Sequence, residues 1–410
     1  MDKKLDIQWF IEQNADWEKT LQEKPYCLAI QRDKVLGRNL ILFKYDQIES
    51  DMGLRLVRQC RGLILDEDTL EPVCVPFFKF FNAGETHADE IDWKTAWTSE
   101  KIDGSIIKVV KLGNGLLVST NGTIDAYKAP IQDQIGFVGK TFGGLFELAL
   151  SKAMESERKG KAGPDWLLTP TQWLSSKLEE GFTYMFELTS QYNKVVVSWH
   201  EPKLWFIGCR DNGTMEEIRF SDHPLSKAFD TPQVFPLTNL KEVQESAEML
   251  DCNHEGFVVC DAGFRRNKVK SSTYVSLHHM KNNGILSYER GLEIVRGNEL
   301  DEVLAYFPEF REHLEAIKAK YDAMLADLAS LERMMKDWME EAGIADQPRL
   351  IESGGKMRKD LAMWAFKNTK LTGVVFALAD HKVESAKAWL EASPTKNLCK
   401  ILGLKGDDQP

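Results

Sequence analysis

The stretch TSEKIDGSIIKVV, Thr98 to Val110, places a lysine two residues before an Asp-Gly pair and then runs into apolar, β-branched sequence. Asp-Gly is a turn signal, and Ile106, Ile107, Val109 and Val110 carry the side chains that fill a buried strand. Lys101 therefore stands at a strand end beside a turn. Similar short apolar runs bounded by Gly, Asn and Asp recur from about Cys27 to just beyond His200: LILFKYDQ, RGLILDED, VCVPFFKFF, GFTYMFELTS, NKVVVSW and KLWFIGCRDNG. LGNGLL is a hairpin turn between two strands, and EGFVVCDAG with RRNKVKSSTYV forms a last strand pair. Helical segments interrupt the strands around Phe142 to Glu155 and Leu240 to Leu250. The fold class expected is α+β, with a mostly antiparallel-sheet domain over residues 1–284. An amphipathic helix carrying Trp9, Phe10 and Trp17 precedes it.

Beyond that point the strand signals vanish. Leu314, Ile317, Tyr321, Met324, Leu328, Leu331, Met335 and Trp338 alternate at spacings of three and four, which predicts one long helix with a single apolar stripe. Residues 285–410 are read as an all-α C-terminal domain. The long helix is expected to pack on its own neighbours rather than in a coiled-coil dimer. Gly354 and Gly355 break the helices, and the next one gathers Lys356, Arg358, Lys359, Lys367 and Lys370.

Composition narrows the class. With 410 residues, 43% of them hydrophobic, the chain builds real cores, and no apolar run of membrane-spanning length occurs. The N-terminus lacks the pattern of a cleavable signal, and a cytoplasmic protein is expected, in host cytoplasm if phage-encoded. Seven cysteines are scattered without a CxxC pair, which predicts free thiols and no zinc site. A net charge of -11 excludes bulk coating of nucleic acid, so phosphate contacts must be local.

Lys101, Asp103 and Gly104 form Lys-x-Asp-Gly, a modest signal alone. Downstream, in order, come FELTS with Glu187, EGFVV with Glu255 and KVKSSTYV with Lys268 and Lys270, each on an expected strand. Upstream stand QCRGLILD, with Arg61, and FFKFFNAGE, with Lys79.

This ordered set resembles the covalent nucleotidyltransferases, the superfamily of ATP-dependent ligases and RNA capping enzymes. Within it, CRG and KFFN before KxDGS, and VKSSTYVSLHHMK at the end, look like RNA ligase 1 of the T-even bacteriophages and its relatives. The likeness covers about Ile41 to Lys281. It implies an antiparallel-sheet nucleotidyltransferase (ATP-grasp-like ligase) domain and an all-helical C-terminal domain that recognises RNA. It also implies ATP and Mg²⁺, or Mn²⁺, as cofactors, and an RNA partner with 5′-phosphate and 3′-hydroxyl ends, such as a tRNA broken in its anticodon loop. No membrane and no obligate protein partner is implied.

On that resemblance Lys101 is the nucleophile that takes AMP from ATP. A free lysine titrates near roughly 10.4, so nearby cations or a metal must favour its neutral form. Lys268 and Lys270, two apart on a strand, share a face and are expected to clamp the α-phosphate, with Val269 turned to the core. Glu255 is expected to hold Mg²⁺ and Glu187 the ribose hydroxyls, while Arg61 and Lys79 grip the β- and γ-phosphates. Glu100 is the expected adenine contact, with Tyr274 or Phe206 stacking on the purine, and Asp103 orients the turn. The adjacent His278 and His279 point apart and are not a metal site. One departure stands out: Ser119 and Asn121 occupy positions where the family carries lysines.

A capping guanylyltransferase or a DNA ligase is the alternative, but both usually continue into an OB-fold where this chain continues in helices. A binding module that has lost catalysis is disfavoured by the intact motif residues. No GxxxxGK[ST] segment is present, so no end-healing kinase is encoded here.

Overall fold

The structure, a computed structural model, describes residues 4–131, 140–158, 167–197, 199–251, 253–272, 274–275, 286–306, 308–343 and 355–404. His278, His279 and the boundary at Gly284 lie outside these residues. The chain divides into two compact units, Met1–His278 and His279–Pro410.

Three sheets build the first unit. One has the order β1 (Leu28–Val35), β2 (Arg38–Tyr45), β3 (Arg61–Asp66) and β4 (Pro72–Cys74), all antiparallel. The second runs β11 (Glu217–Ile218), β10 (Lys203–Asp211), β9 (Phe182–Thr189), β7 (Ser105–Leu112) and β8 (Gly115–Ser119). The third runs β12 (Val234–Phe235), β6 (Trp97–Lys101), β13 (Gly256–Cys260), β14 (Arg266–Lys270) and β5 (Phe81–Asn82), with β14 and β5 parallel.

The first sheet is buried on both faces, Ile41, Phe43, Leu63 and Leu65 packing in one cluster and Leu40, Leu42, Ile64 and Cys74 in another. The helix Phe142–Arg158 lays Leu145, Phe146 and Leu150 against Phe186 and Phe206 of the second sheet. The helix Leu240–Glu248 presses Val243 and Ala247 onto Phe257, Val259 and Val269 of the third. Each large side chain fully withdrawn from water contributes about 1.5–3 kcal/mol, so these faces fix which sides of the sheets remain free to meet. The amphipathic N-terminus is two helices, Asp6–Gln13 and Trp17–Gln22, rather than one.

Two strand-level expectations change. The run NKVVVSW makes no strand among its described residues; the backbone amides of Val196 and Val197 instead donate to the Asp103 carboxylate at 3.0 and 2.7 Å. Nor is Asp-Gly a hairpin turn. The strand before it, β6, belongs to the third sheet, and the strand after it, β7, to the second. Ile102 to Gly104 thus carries the chain between sheets, and a Cβ on Gly104 would stand 2.6 Å from the Leu188 carbonyl oxygen. Only glycine permits that approach.

The second unit is helical throughout its described residues. Arg311–Glu341 is its longest helix, and Leu314, Ile317, Tyr321, Leu328, Leu331 and Met335 form the buried stripe. These side chains, apart from Leu314, pack with Leu361, Val374, Leu390 and Leu398 of the helices Lys356–Asn368, Thr372–Ala379, Ala386–Ala392 and Thr395–Ile401. No helix of the described residues is long and apolar enough to cross a membrane.

Candidate active site

The crossing at Asp-Gly opens a cleft of about 570 Å³ between the second and third sheets. Alternation along β6 aims Trp97, Ser99 and Lys101 into it, and alternation along β14 aims Arg266, Lys268 and Lys270. Val269, between the two lysines, is buried on the other face, as the spacing predicted. Register aligns the parts: Gly256 on β13 pairs with Lys101 on one side and Lys270 on the other. A Cβ at Gly256 would lie 2.2 Å from the Val269 carbonyl oxygen, and its φ of +143° suits glycine.

Lys101 Nζ lies 2.5 Å from Glu255 Oε2, and Lys270 Nζ lies 3.9 Å from Glu255 Oε1. Glu255 is only 5% exposed, so this carboxylate is the common anion of two strands of lysines. The nearest partner of Lys101 is thus a carboxylate, where sequence reasoning emphasised nearby cations or a metal. Glu187 faces the site from β9. Burial pushes its carboxyl up to about 8, opposed by the charge of Lys101 and reinforced by that of Glu255.

Arg61, at the start of β3, and the residues Thr120 to Gly122 after β8 close one side of the cleft. Phe80 is a hub for cations: Arg61, Arg266 and Lys268 stand 5.3, 5.7 and 5.7 Å from its ring centre. Glu100 borders the cleft. Lys79 does not; it opens on an adjoining groove, with its Nζ over the rings of Tyr45 and Phe81.

Asp103 anchors the crossing through Val196, Val197 and the Tyr274 hydroxyl, which donates to Asp103 Oδ1 at 3.0 Å. Tyr274, 2% exposed, is occupied by that bond, and Phe206 is sealed in the core against Phe186. Neither stacks on a purine in the cleft, which corrects the expectation. The aromatic rings that do line it are those of Trp97, Phe77, Phe80, Phe142, Phe220 and Phe264.

Sequence reasoning also missed a buried charge behind Arg61. Lys108, on β7, is fully buried, and its Nζ donates to the Gly62 carbonyl oxygen. Register sets it directly opposite Ser119, so the two side chains share a face. A lysine thus stands opposite Ser119 on the facing strand, buried behind the cleft lining. A lysine in the otherwise apolar run SIIKVV was the available signal. A second missed group is Glu217, which binds Arg210 and, at 2.6 Å, Arg266. Against burial, those two guanidiniums hold its carboxyl below the usual range. Extending the two-residue period of Lys268 and Lys270 back reaches its partner Arg266, though not Glu217 itself.

The model of a family described as RNA ligase matches residues 59–276, more than half of the chain. This chain belongs to the RNA ligase family. A candidate bifunctional polynucleotide kinase/RNA ligase of Autographa californica nuclear polyhedrosis virus is 31% identical over 299 residues, 69% of this chain and 39% of that one. This chain therefore spans well under half the length of that viral relative. The RNA ligase of Rhodothermus phage RM378 is 23% identical over 429 residues, covering 88% of this chain and 90% of its own. Among solved structures, an archaeal ATP-dependent RNA ligase superposes with a TM-score of 0.41 at 14% identity, over 71% of this chain and 68% of that one. A candidate ATP-dependent DNA ligase of Aquifex aeolicus gives 0.40 at 12% identity, over 83% and 87%.

Proposed function

We propose that this member of the RNA ligase family joins 5′-phosphate and 3′-hydroxyl RNA ends with ATP, through a covalent bond between Lys101 and AMP. The observation that carries the reading is Lys101 at the junction of two sheets, 2.5 Å from Glu255, with Lys268 and Lys270 on the same cleft wall. The Lys101 amine attacks the α-phosphorus, an N–P bond forms, and pyrophosphate leaves with the electrons of the broken P–O bond. An oxygen of the RNA 5′-phosphate next attacks that phosphorus, and the lysine departs with a proton. A 3′-hydroxyl then attacks the activated RNA phosphate and expels AMP.

Lys268, Lys270 and Arg61 gather the phosphate oxygens and stabilise the charge that develops on them. Glu187, largely protonated near neutrality, both donates to and accepts from a ribose hydroxyl. Glu100 and the aromatic wall bound the base. Among the described residues no group of three or more His, Cys, Asp or Glu side chains encloses a metal. Glu255 fits an ion that takes one carboxylate and completes its shell with water and phosphate, as Mg²⁺ does. Bound there, it would neutralise charge on the α-phosphate. Until then Glu255 is the partner of Lys101.

The helical unit is assigned to RNA recognition, with a tRNA broken in its anticodon loop as the substrate. On its helix Lys356–Asn368, Lys359, Met363 and Phe366 are exposed at spacings of four and three, with Lys356, Lys367 and Lys370 beside them. Cations flanking an aromatic suit phosphates and an unstacked base.

Incubation with α-labelled ATP and Mg²⁺ labels the protein, GTP does not, and Lys101→Ala takes no label. Label retained in that variant removes Lys101 from the chemistry, and preferential labelling by GTP moves the reading to capping. A 5′-phosphorylated single-stranded RNA is circularised or joined; sealing of nicked duplex DNA alone would exclude RNA joining. A cleaved tRNA is joined more efficiently than an unstructured RNA of equal length, and loss of that preference on deleting residues 285–410 locates it.

A further inference from the structure

A second groove, of about 200 Å³, opens beside the catalytic cleft and shares Phe80, Glu217, Phe264 and Arg266 with it. Its cations come from three places: Arg55 and Arg58 from one face of the short helix Arg55–Gln59, Lys79 from the segment before β5, and Arg265 from the β13–β14 turn. The backbone amide of Lys79 donates to the Arg58 carbonyl oxygen at 2.8 Å, which ties two of those places together.

The acids in its wall are already engaged. Glu217 serves Arg210 and Arg266, and Asp89 Oδ2 accepts the backbone amide of Arg266 at 3.1 Å. Arg265 leans on Asp261 at 2.8 Å yet keeps about half its side chain exposed, and Arg55 comes no closer than 3.7 Å to Asp6. Arg58 and Lys79 have no carboxylate partner among the described residues. In a chain of net charge -11, this is a concentration of positive charge with little local neutralisation.

The turn between the two cavities is held in an uncommon shape. Phe264 has φ +57°, a left-handed conformation that few bulky residues adopt. Its amide donates to the Asp261 carbonyl oxygen at 2.9 Å, while the Asp261 carboxylate accepts the amides of Gly263 and Arg265 at 2.9 and 3.1 Å. The ring is thereby fixed at the lip shared by cleft and groove, edge-on to Trp97. Such conformations concentrate where a side chain is being aimed.

We propose that this groove binds the RNA backbone next to the 5′-phosphate, so that Arg58, Lys79 and Arg265 hold phosphates while the strand end enters the cleft past Phe264. The inference rests on the ligase reading above. It differs from the sequence expectation for Lys79, which gave that lysine to the nucleotide. Phosphate oxygens are the shared chemistry of both possibilities, but Lys268, Lys270 and Arg61 already serve the nucleotide inside the cleft, and the groove lies outside it.

The full-length protein tests this with two substitutions, Arg58→Glu and Arg265→Glu, and the charge-retaining Arg58→Lys. Labelling by α-labelled ATP stays within about twofold of the unaltered protein in all three. Transfer of AMP from the labelled protein to a 5′-phosphorylated 20-nucleotide RNA falls at least tenfold in both glutamate variants and recovers in Arg58→Lys. In Arg58→Glu the slope of log affinity for that RNA against log salt becomes shallower by about one phosphate contact. Labelling that falls in step with transfer assigns the groove to the triphosphate and overturns the proposal, as does transfer unchanged in both glutamate variants. An unaltered protein that takes no label from ATP fails the ligase reading itself, before any variant is made.

Discussion

Lys101 Nζ, at the end of β6, lies 2.5 Å from Oε2 of Glu255, the residue directly before β13. The carboxylate holds the amine at the cleft wall, and one N–H of a neutral amine can stay bonded to it while the nitrogen lone pair turns to a phosphorus atom. Glu255→Gln is expected to slow Lys101–AMP formation at least 100-fold, about 3 kcal/mol of barrier. The melting temperature should fall as well, since removing one partner of a buried pair leaves the other's charge uncompensated, at a cost of about 3–5 kcal/mol. Single-turnover labelling beside a thermal melt separates these effects, and labelling at the unaltered rate would remove Glu255 from the chemistry.

Glu187 titrates near 8 because burial opposes its charge. Near pH 7 it is mostly the neutral acid, which glutamine mimics in shape and in hydrogen bonding. Glu187→Gln should keep ATP-dependent labelling within about threefold at pH 7, whereas Glu187→Leu loses at least tenfold. Above pH 8 the native carboxyl ionises and the glutamine does not, so the two pH profiles separate there. Parallel profiles from pH 6 to 9 would contradict the assignment.

Burial lowers Lys108 to about 8 from an ordinary 10.5. Between those values the unfolded chain binds the extra proton, so stability rises with pH across that interval, by about 3 kcal/mol. Below pH 8 both states are protonated and this gain is absent. Lys108→Met should lack the rise and be the more stable protein at pH 7. It should also raise the KM for ATP several-fold, because the Lys108 bond to Gly62 steadies the neighbouring Arg61. Urea titrations at pH 7, 8, 9 and 10 check the first expectation and ATP titrations the second.

Gly256 lies between Lys101 and Lys270 in register, with Val269 against its bare Cα. Gly256→Ala should force β13 from β14 and cost about 2–4 kcal/mol, the combined scale of overpacking and a left-handed conformation. Labelling should fall more than 100-fold in whatever fraction stays folded. A fully active, equally stable variant would show that the two strands can part without harm.

Much of this arrangement was legible because strands alternate. Two residues apart on one strand is a face, so Lys268, Val269 and Lys270 declare both their cleft side and their core side in the sequence itself. The long helix Arg311–Glu341 was equally plain from its stripe. Which sheet a strand joins, however, is decided by pairing at a distance. Nothing local in Asp103-Gly104 distinguishes a hairpin from a crossing between sheets, and NKVVVSW has every local mark of a strand while its amides serve Asp103. Tyr274 and Phe206 failed as purine platforms for the same reason: an aromatic beside a motif becomes core or wall according to partners on other elements, Asp103 for Tyr274 and Phe186 for Phe206.

The Lys108–Ser119 pair bears on how such sites are compared between relatives. Aligned column by column, position 119 reads as a cation deleted. In the folded sheet the two positions are one place, and a lysine on either strand delivers its charge to the same neighbourhood. A column-by-column reading of this chain records only the serine at 119 and passes over the cation that its cross-strand neighbour supplies.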